Sequence, residues 1–438
     1  MIKQLFKSGA LSIGVKFGYL GLQFIIGVIL ARYLGPTSLG LYAVTMALVQ
    51  IGVVIAQFGF PAYLVRIIAV QLAQKKYSEI NLSISNGLKL VSFLSFLLIV
   101  FIVLVVSFFD LNPNQEYPIL LSLLLIPLLS LEATTGGIIR GLGFVTISIM
   151  PGHIIRPTIF LALLLSYPLF FTNVTAKEVI ISNAIALSFS VLIGLYLLNN
   201  KKPNVGINKP EESSYRDVLT KALPFLFLAG AQVLNYQVDI IMLGQLTSAL
   251  EVGYYRIAIQ LSDGIGGVLL AISLVIAPQI ARLHALKDWS RIQQIVVIAH
   301  RAGFLILLPV GVIISLYSEF FIVNIFGKEY ESASESLILL VIGKIIYATV
   351  GFAGIVMSML GRAGAATTIA LVTLIANVAL NITLIPIYGI EGAAIATIFS
   401  QVIVNSIGVI YIYRLYKIDI SALGSWIHRI TAALWTAR

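Results

Sequence analysis

The chain has no cysteine among its 438 residues. Disulfides, thiolate-bound metals and cysteine nucleophiles are therefore excluded. Charge is scarce as well. Asp, Glu, Lys and Arg together make up 11% of the sequence, where a soluble domain carries roughly 25%. Apolar types reach 59%, and mean hydropathy is +1.02. These values exclude a soluble enzyme, a disordered chain and a collagen, and they indicate a polytopic membrane protein. Catalytic signatures are missing too. There is no G-x-x-x-x-G-K-[ST] phosphate cradle, no G-x-S-x-G elbow and no H-E-x-x-H. Gly264-Ile-Gly-Gly is not a dinucleotide fingerprint. The four histidines, His153, His284, His300 and His428, are scattered, and no carboxylate cluster suggests a metal. A transporter is expected, not an enzyme, and no bound cofactor.

What is present is a series of long apolar runs. Val91 to Phe109 does not alternate apolar with polar residues, so the runs read as helices and not as strands of a membrane barrel. Charges and turn residues cut the chain into twelve expected spans, at 9–31, 40–64, 88–109, 117–139, 151–171, 178–198, 217–243, 254–280, 299–318, 335–358, 363–385 and 391–413. The basic start, Met1 to Lys7, runs into an apolar stretch with no A-x-A-like cleavage site, which reads as a retained first span. The fold class is all-α.

Net charge is +10. Nothing interleaves basic and aromatic residues on a water-facing platform, so no nucleic-acid partner is expected. Membrane topology explains the surplus instead. With the N-terminus inside, 22 of the 28 Lys and Arg fall on inner loops or inner helix ends, and nine of the 18 acids fall outside. Both termini are then cytoplasmic. The 201–216 stretch, rich in Lys, Pro, Glu and Ser, reads as a linker between six-helix lobes at 1–200 and 217–413, with a tail at 414–438. Six spans per lobe allow a parallel repeat about an axis along the membrane normal. Residues 29–48 set against 242–261 align Leu30, Gly40, Tyr42 and Leu48 with Leu243, Gly253, Tyr255 and Leu261. The tail from Ile418 reads as an interfacial amphipathic helix or, alternatively, a thirteenth span cut short.

The informative residues are ionisable groups inside spans, because burying one costs several kcal/mol without a partner, a wet cavity or a function. Lys16, flanked by Gly14 and Gly18, either snorkels to inner headgroups or lines a polar cavity. Lys344, near the middle of span ten, is either a cavity cation or half of a structural ion pair. Arg32 and Arg256 lie at outer helix ends, as interface anchors or cavity residues. Arg66, Lys89, Arg140, Arg156 and Arg301 lie at inner helix ends. Topology explains them, and they can also line an inner mouth. Three acids, Glu132, Asp239 and Asp263, either carry a proton or Na⁺ or neutralise Lys16 or Lys344. The surplus of bases forms a field that attracts an anion, and a diphosphate headgroup or a sugar acid fits it. Tyr19, Tyr42, Tyr236, Tyr254, Tyr255 and Tyr347 can stack on sugar rings or belong to interfacial belts.

The stretch from Ser8 to Arg66, and above all LARYLGP-x-x-LGLYA at Leu30 to Ala43, resembles the opening of Wzx-type polysaccharide flippases of the multidrug/oligosaccharidyl-lipid/polysaccharide (MOP) exporter superfamily. The resemblance extends to about twelve helices in two lobes, a basic middle loop and a Gly-rich turn after span ten. It implies a carrier in a bacterial inner membrane. That carrier moves an undecaprenyl-diphosphate-linked oligosaccharide from the cytoplasmic to the outer leaflet by alternating access, for O-antigen, capsule or exopolysaccharide assembly. It also implies a cationic lumen, for which Lys16, Arg256 and Lys344 are the matching positions. Membrane lipids, a polysaccharide polymerase and chain-length machinery are the implied partners. The rivals are a multidrug–cation antiporter, expected to have an acid-dominated cavity, and a lipid II flippase, which usually has more spans.

Overall fold

The computed structural model describes residues 2–108, 120–170, 174–203, 215–422 and 424. Most of the expected linker and the tail beyond 424 lie outside the described residues. Every regular element among the described residues is helical. In chain order they are α1 Ile2–Gln57, α2 Phe60–Ala73, α3 Tyr77–Ser107, α4 Leu125–Gly141, α5 Val145–Met150, α6 Arg156–Phe170, α7 Ala176–Lys201, α8 Tyr215–Leu246, α9 Ala249–Ala285, α10 Trp289–Leu316, α11 Ser318–Ile325, α12 Ser334–Tyr347, α13 Ala353–Met359 and α14 Ala363–Tyr416. A wide π-type turn, Pro151–Ile155, joins α5 to α6.

Among the described residues, nine stretches are long and apolar enough to cross a membrane. Two of them, Gly14–Ala73 and Gly364–Tyr416, have 60 and 53 residues, where one crossing takes about 20. Each holds two of the expected spans. Together with the tenth, which breaks between α12 and α13, these stretches account for the twelve. The chain is an all-α polytopic membrane protein.

The double helices bend at single glycines. Gly35 has φ +66 and ψ 171, and Gly389 has φ +55 and ψ −130. Pro36 disfavours helical geometry in the residue before it, and only glycine takes a positive φ there without strain. Nothing lies within 4 Å of a Cβ built on Gly35, so conformation and not space requires glycine. Sequence reading placed the second span at 40–64. The structure corrects this, with α1 ending at Gln57 and α2 starting at Phe60. Phe58 and Gly59 both take positive φ, and Pro61 sits in the first turn of α2. Thr175 and Glu178 form a capping box that starts α7.

Apolar surface faces outward as well as inward. On α3, Phe93, Phe96, Leu97, Phe101 and Leu104 are between 54% and 66% exposed. A soluble protein does not leave a stripe of that size open to water, whereas a bilayer covers it.

The chain divides into two compact units, Met1–Leu234 and Asn235–Arg438, with the boundary inside α8. In the first unit, Phe60, Leu64 and Ile68 of α2 pack with Ile80, Ile84 and Val91 of α3 and Ile138 and Ile139 of α4. Val218 of α8 joins that core. In the second unit, the segment after α14 is buried. Ile418, Asp419, Ile420 and Ser421 are 4%, 3%, 0% and 2% exposed and not helical. This corrects the expected interfacial helix over the part of the tail that is described.

Candidate functional site

A buried charged pair lies within the first unit. Glu132 on α4 meets Arg156 at the start of α6, with Oε2 and Nη1 2.9 Å apart. Its other oxygen accepts from the Ser190 hydroxyl on α7. Both charged side chains are mostly buried, at 13% and 18% exposure. Arg156, read as an inner-end residue, is therefore committed to Glu132, and Glu132 neutralises Arg156 instead of Lys16 or Lys344. Glu132 and Ser190 line a cavity of about 310 Å³ together with Thr135, Arg140, Ser148 and His153.

Beside that cavity, the Tyr19 ring on α1 lies 4.6 Å from the His153 ring, centroid to centroid. The charges of Arg156, Lys16 and Arg140 all bear on His153. Lys16 is half-buried and makes no ion pair among the described residues. Lys89 and Arg32 are exposed.

The second unit answers the question left open at Lys344. Its Nζ lies 2.9 Å from Asp263 Oδ1 on α9, which makes an ion pair. The Tyr236 hydroxyl on α8 donates to Asp263 Oδ2 at 2.8 Å. Of the two roles open to Asp263, neutralising Lys344 is the one its geometry shows, and Arg256, two turns earlier on the same helix, is not its partner. Arg256 is half-buried and makes no ion pair among the described residues. Arg301, read as a mouth residue, donates from Nε to the Ala422 carbonyl at 3.0 Å.

Asp239 on α8 has a different environment. It is 7% exposed, and no basic group reaches it among the described residues. Neutral groups hold it instead. Asn381 donates to Oδ1 at 2.7 Å, Tyr255 donates to Oδ2 at 3.1 Å, and the Thr397 hydroxyl donates to Oδ2. Asn381 also donates to Asn377 Oδ1 at 2.9 Å, while its own Oδ1 is buried without a partner. A carboxylate charge at this depth is costly unless a proton or a small cation neutralises it. The surrounding oxygens, from Asp239, Asn377, Asn381 and Thr397, suit a hard monovalent cation or a proton.

Asn377, Asn381 and Thr397 were missed in the sequence, although two asparagines one turn apart inside an apolar span are a readable signal. Ser190 carried no such signal, and Tyr236, read as a stacking or belt residue, donates to Asp263.

Two family models match the chain. One, described as polysaccharide biosynthesis protein, covers residues 5–284, and the other, described as lipid II flippase MurJ, covers 150–434. A curated relative, the probable low-salt glycan biosynthesis flippase Agl15 of Haloferax volcanii, is 24% identical over 221 residues, which are 50% of this chain and 47% of that protein. The chain thus matches about half the length of that relative. Among solved structures, an inward-facing multidrug resistance MATE family transporter of the MOP superfamily superposes with TM-score 0.75 at 13% identity, over 93% of this chain and 98% of that one. Lipid II flippase MurJ in an inward closed conformation gives TM-score 0.72 at 16% identity, over 92% and 87%. These likenesses establish the fold.

Proposed function

Because the chain belongs to the polysaccharide biosynthesis protein family, within the MOP superfamily of flippases and exporters, we propose that it flips an undecaprenyl-diphosphate-linked oligosaccharide from the cytoplasmic to the outer leaflet of a bacterial inner membrane. Alternating access is the proposed route, with both termini cytoplasmic. The sorting of basic residues to one side supports that orientation.

One observation carries the choice of an anionic substrate. Of the three acids inside spans, Glu132 and Asp263 are already matched by Arg156 and Lys344, and Asp239 is buried among neutral donors. Lys16 and Arg256 remain without acidic partners among the described residues. A diphosphate needs bases without acidic partners, and these two meet that need. In this reading the diphosphate is drawn by bases without acidic partners, Lys16 in the first unit, where exposed Arg32 and Lys89 add positive charge, and Arg256 in the second. Arg156 and Arg301 hold the protein's own groups. Asp239, with Asn377, Asn381 and Thr397, is the proposed holder of a coupling Na⁺ or proton, which would neutralise the buried carboxylate. Asp263, paired with Lys344, is the weaker candidate, and Glu132, paired with Arg156, is weaker still.

The test is deletion of the gene in its host, with surface glycan and lipid-linked repeat units measured. Loss of glycan with repeat units accumulating, restored by the wild-type gene and not by Lys16→Ala or Arg256→Ala, supports the proposal. Normal glycan with raised sensitivity to cationic dyes overturns it in favour of a drug antiporter. A second reading, lipid II transport, draws on the MurJ match over residues 150–434. Rescue of a strain depleted of its lipid II flippase would favour it.

A further inference from the structure

The tenth expected span loses its helix within an apolar stretch. α12 ends at Tyr347, and α13 starts at Ala353. Between them the chain makes tight turns, with Gly351 N–H donating to the Tyr347 carbonyl at 2.7 Å. An interruption of this kind frees backbone groups, which need partners wherever water is excluded.

Two of those groups find partners far away in the sequence. Phe352 N–H donates to His300 Nε2 at 3.2 Å, and the Thr349 carbonyl accepts from Ala422 N–H at 2.9 Å. His300 is fully buried, with its ring 4.6 Å from that of Phe352. Accepting at Nε2 requires the neutral imidazole with its proton on Nδ1.

The segment that supplies Ala422 is itself secured. Lys417, at φ +56, ends α14 and turns the chain back. The Asp419 carboxylate accepts from Ser421 N–H at 2.9 Å and from its hydroxyl at 2.8 Å. Arg301 Nε donates to the Ala422 carbonyl at 3.0 Å. Both Ile418 and Ile420 are buried.

We propose that Ile418–Ala422 is a clasp that closes the interruption Ala348–Phe352, and that it opens when the second unit rearranges during transport. Helices on either side satisfy their own backbones and move as rods. The interruption is closed by two neutral hydrogen bonds, which break far more readily than a helical ladder, so bending concentrates there. Lys344 lies in the last turn before the interruption, its carbonyl accepting from Ala348 N–H at 3.0 Å. A bend at the interruption therefore moves Lys344 relative to Asp263. The clasp links the end of the last span to the Lys344–Asp263 ion pair, which joins α12 to α9.

The opening step rests on the transport reading, while the placement of the clasp does not. The chain has no cysteine, so a Thr349→Cys/Ala422→Cys double variant carries only its two introduced thiols. Its backbones already touch, and the expected result is a disulfide on mild oxidation. The same oxidation should abolish export of lipid-linked glycan, and reductant should restore it, with either single variant unaffected. A disulfide that forms fully and leaves export intact overturns the opening step. Failure to form a disulfide overturns the placement. If the reduced protein exports no glycan, the transport reading fails and the clasp is judged by amide exchange instead. Ala422→Pro, which removes the N–H, should then speed exchange over residues 348–352, and unchanged exchange overturns the clasp.

Discussion

Removing the Glu132 carboxylate tests the energetics of the first unit most sharply. The Glu132→Gln variant keeps size and polarity but leaves the Arg156 guanidinium without a counter-charge. The pair is 2.9 Å apart and mostly buried, at 13% and 18% exposure. At an effective dielectric near 20, opposite unit charges at that distance attract by about 6 kcal/mol. Much of that attraction offsets the cost of taking both charges out of water. Stranding one charge exposes the cost alone, about 3–5 kcal/mol, whereas an exposed pair would change stability by under about 1 kcal/mol. For a unit of this size that corresponds to a fall in Tm on the order of 10 °C. Arg156→Gln should cost less. Glu132 can discard its charge by taking up a proton, and an arginine has no such escape. The double variant Glu132→Gln/Arg156→Gln should recover most of the loss, since two neutral amides can hydrogen-bond across the gap. The assay is thermal unfolding of the purified protein in detergent, run as a double-mutant cycle. Three variants with equal, small losses would falsify the claim that this pair is buried and structural.

Further outcomes follow from single contacts. Asp239→Asn should leave Tm nearly unchanged and make export insensitive to the Na⁺ and proton gradients. Glycan export measured with each gradient collapsed checks this, and retained gradient dependence removes Asp239 from the coupling role. Gly35→Ala forces a side chain into φ +66, ψ 171, an essentially glycine-only region, at a cost of about 1–3 kcal/mol. Since nothing stands within 4 Å of the new methyl group, a larger loss of Tm would mean that packing, not backbone conformation, selects glycine there. Thr175→Ala removes the capping box of α7 and should cost about 1 kcal/mol, read as faster amide exchange confined to the first turn of α7.

The membrane spans were legible because a bilayer selects on composition, and composition survives without knowledge of any contact. The same simplicity hides breaks. The stop at Phe58 and Gly59 lies in an apolar run with no charge between Arg32 and Arg66, so only Gly59 and Pro61 mark it. The break in the tenth span was invisible for a different reason. Its freed backbone groups are satisfied by His300 and Ala422, which lie 52 residues before Phe352 and beyond the last span. Local sequence shows none of this. Asp239 was legible as a costly acid, but the polar residues nearest to it in the sequence, Gln232, Asn235 and Gln237, are not among the groups that donate to it. Asn235 donates to the Ala370 carbonyl instead. The groups that hold Asp239 include Asn381 and Thr397, 142 and 158 residues away.

The three acids illustrate why a count of charges in spans is a poor guide to function until partners are known. By count, Glu132, Asp239 and Asp263 are equivalent, and any of them suits ion coupling. By partner, they separate. A carboxylate that already faces a cation has little reason to release or bind a proton during a cycle unless that cation moves. Glu132 faces Arg156 across two helices of one packed unit. Asp263 faces Lys344, which sits one turn from the interrupted helix, so its pairing is the one that a bend can change. Asp239 has no cation to leave, and the hydroxyls of Tyr255 and Thr397, which donate to the carboxylate, can rotate to present lone pairs to a carboxylic acid proton or a small ion. Ion dependence is therefore expected to follow Asp239, and conformational sensitivity to follow Asp263, so Asp239→Asn and Asp263→Asn should fail in different ways. The first should uncouple export from its gradient. The second should free Lys344 and alter the exchange of residues 348–352 while gradient dependence persists.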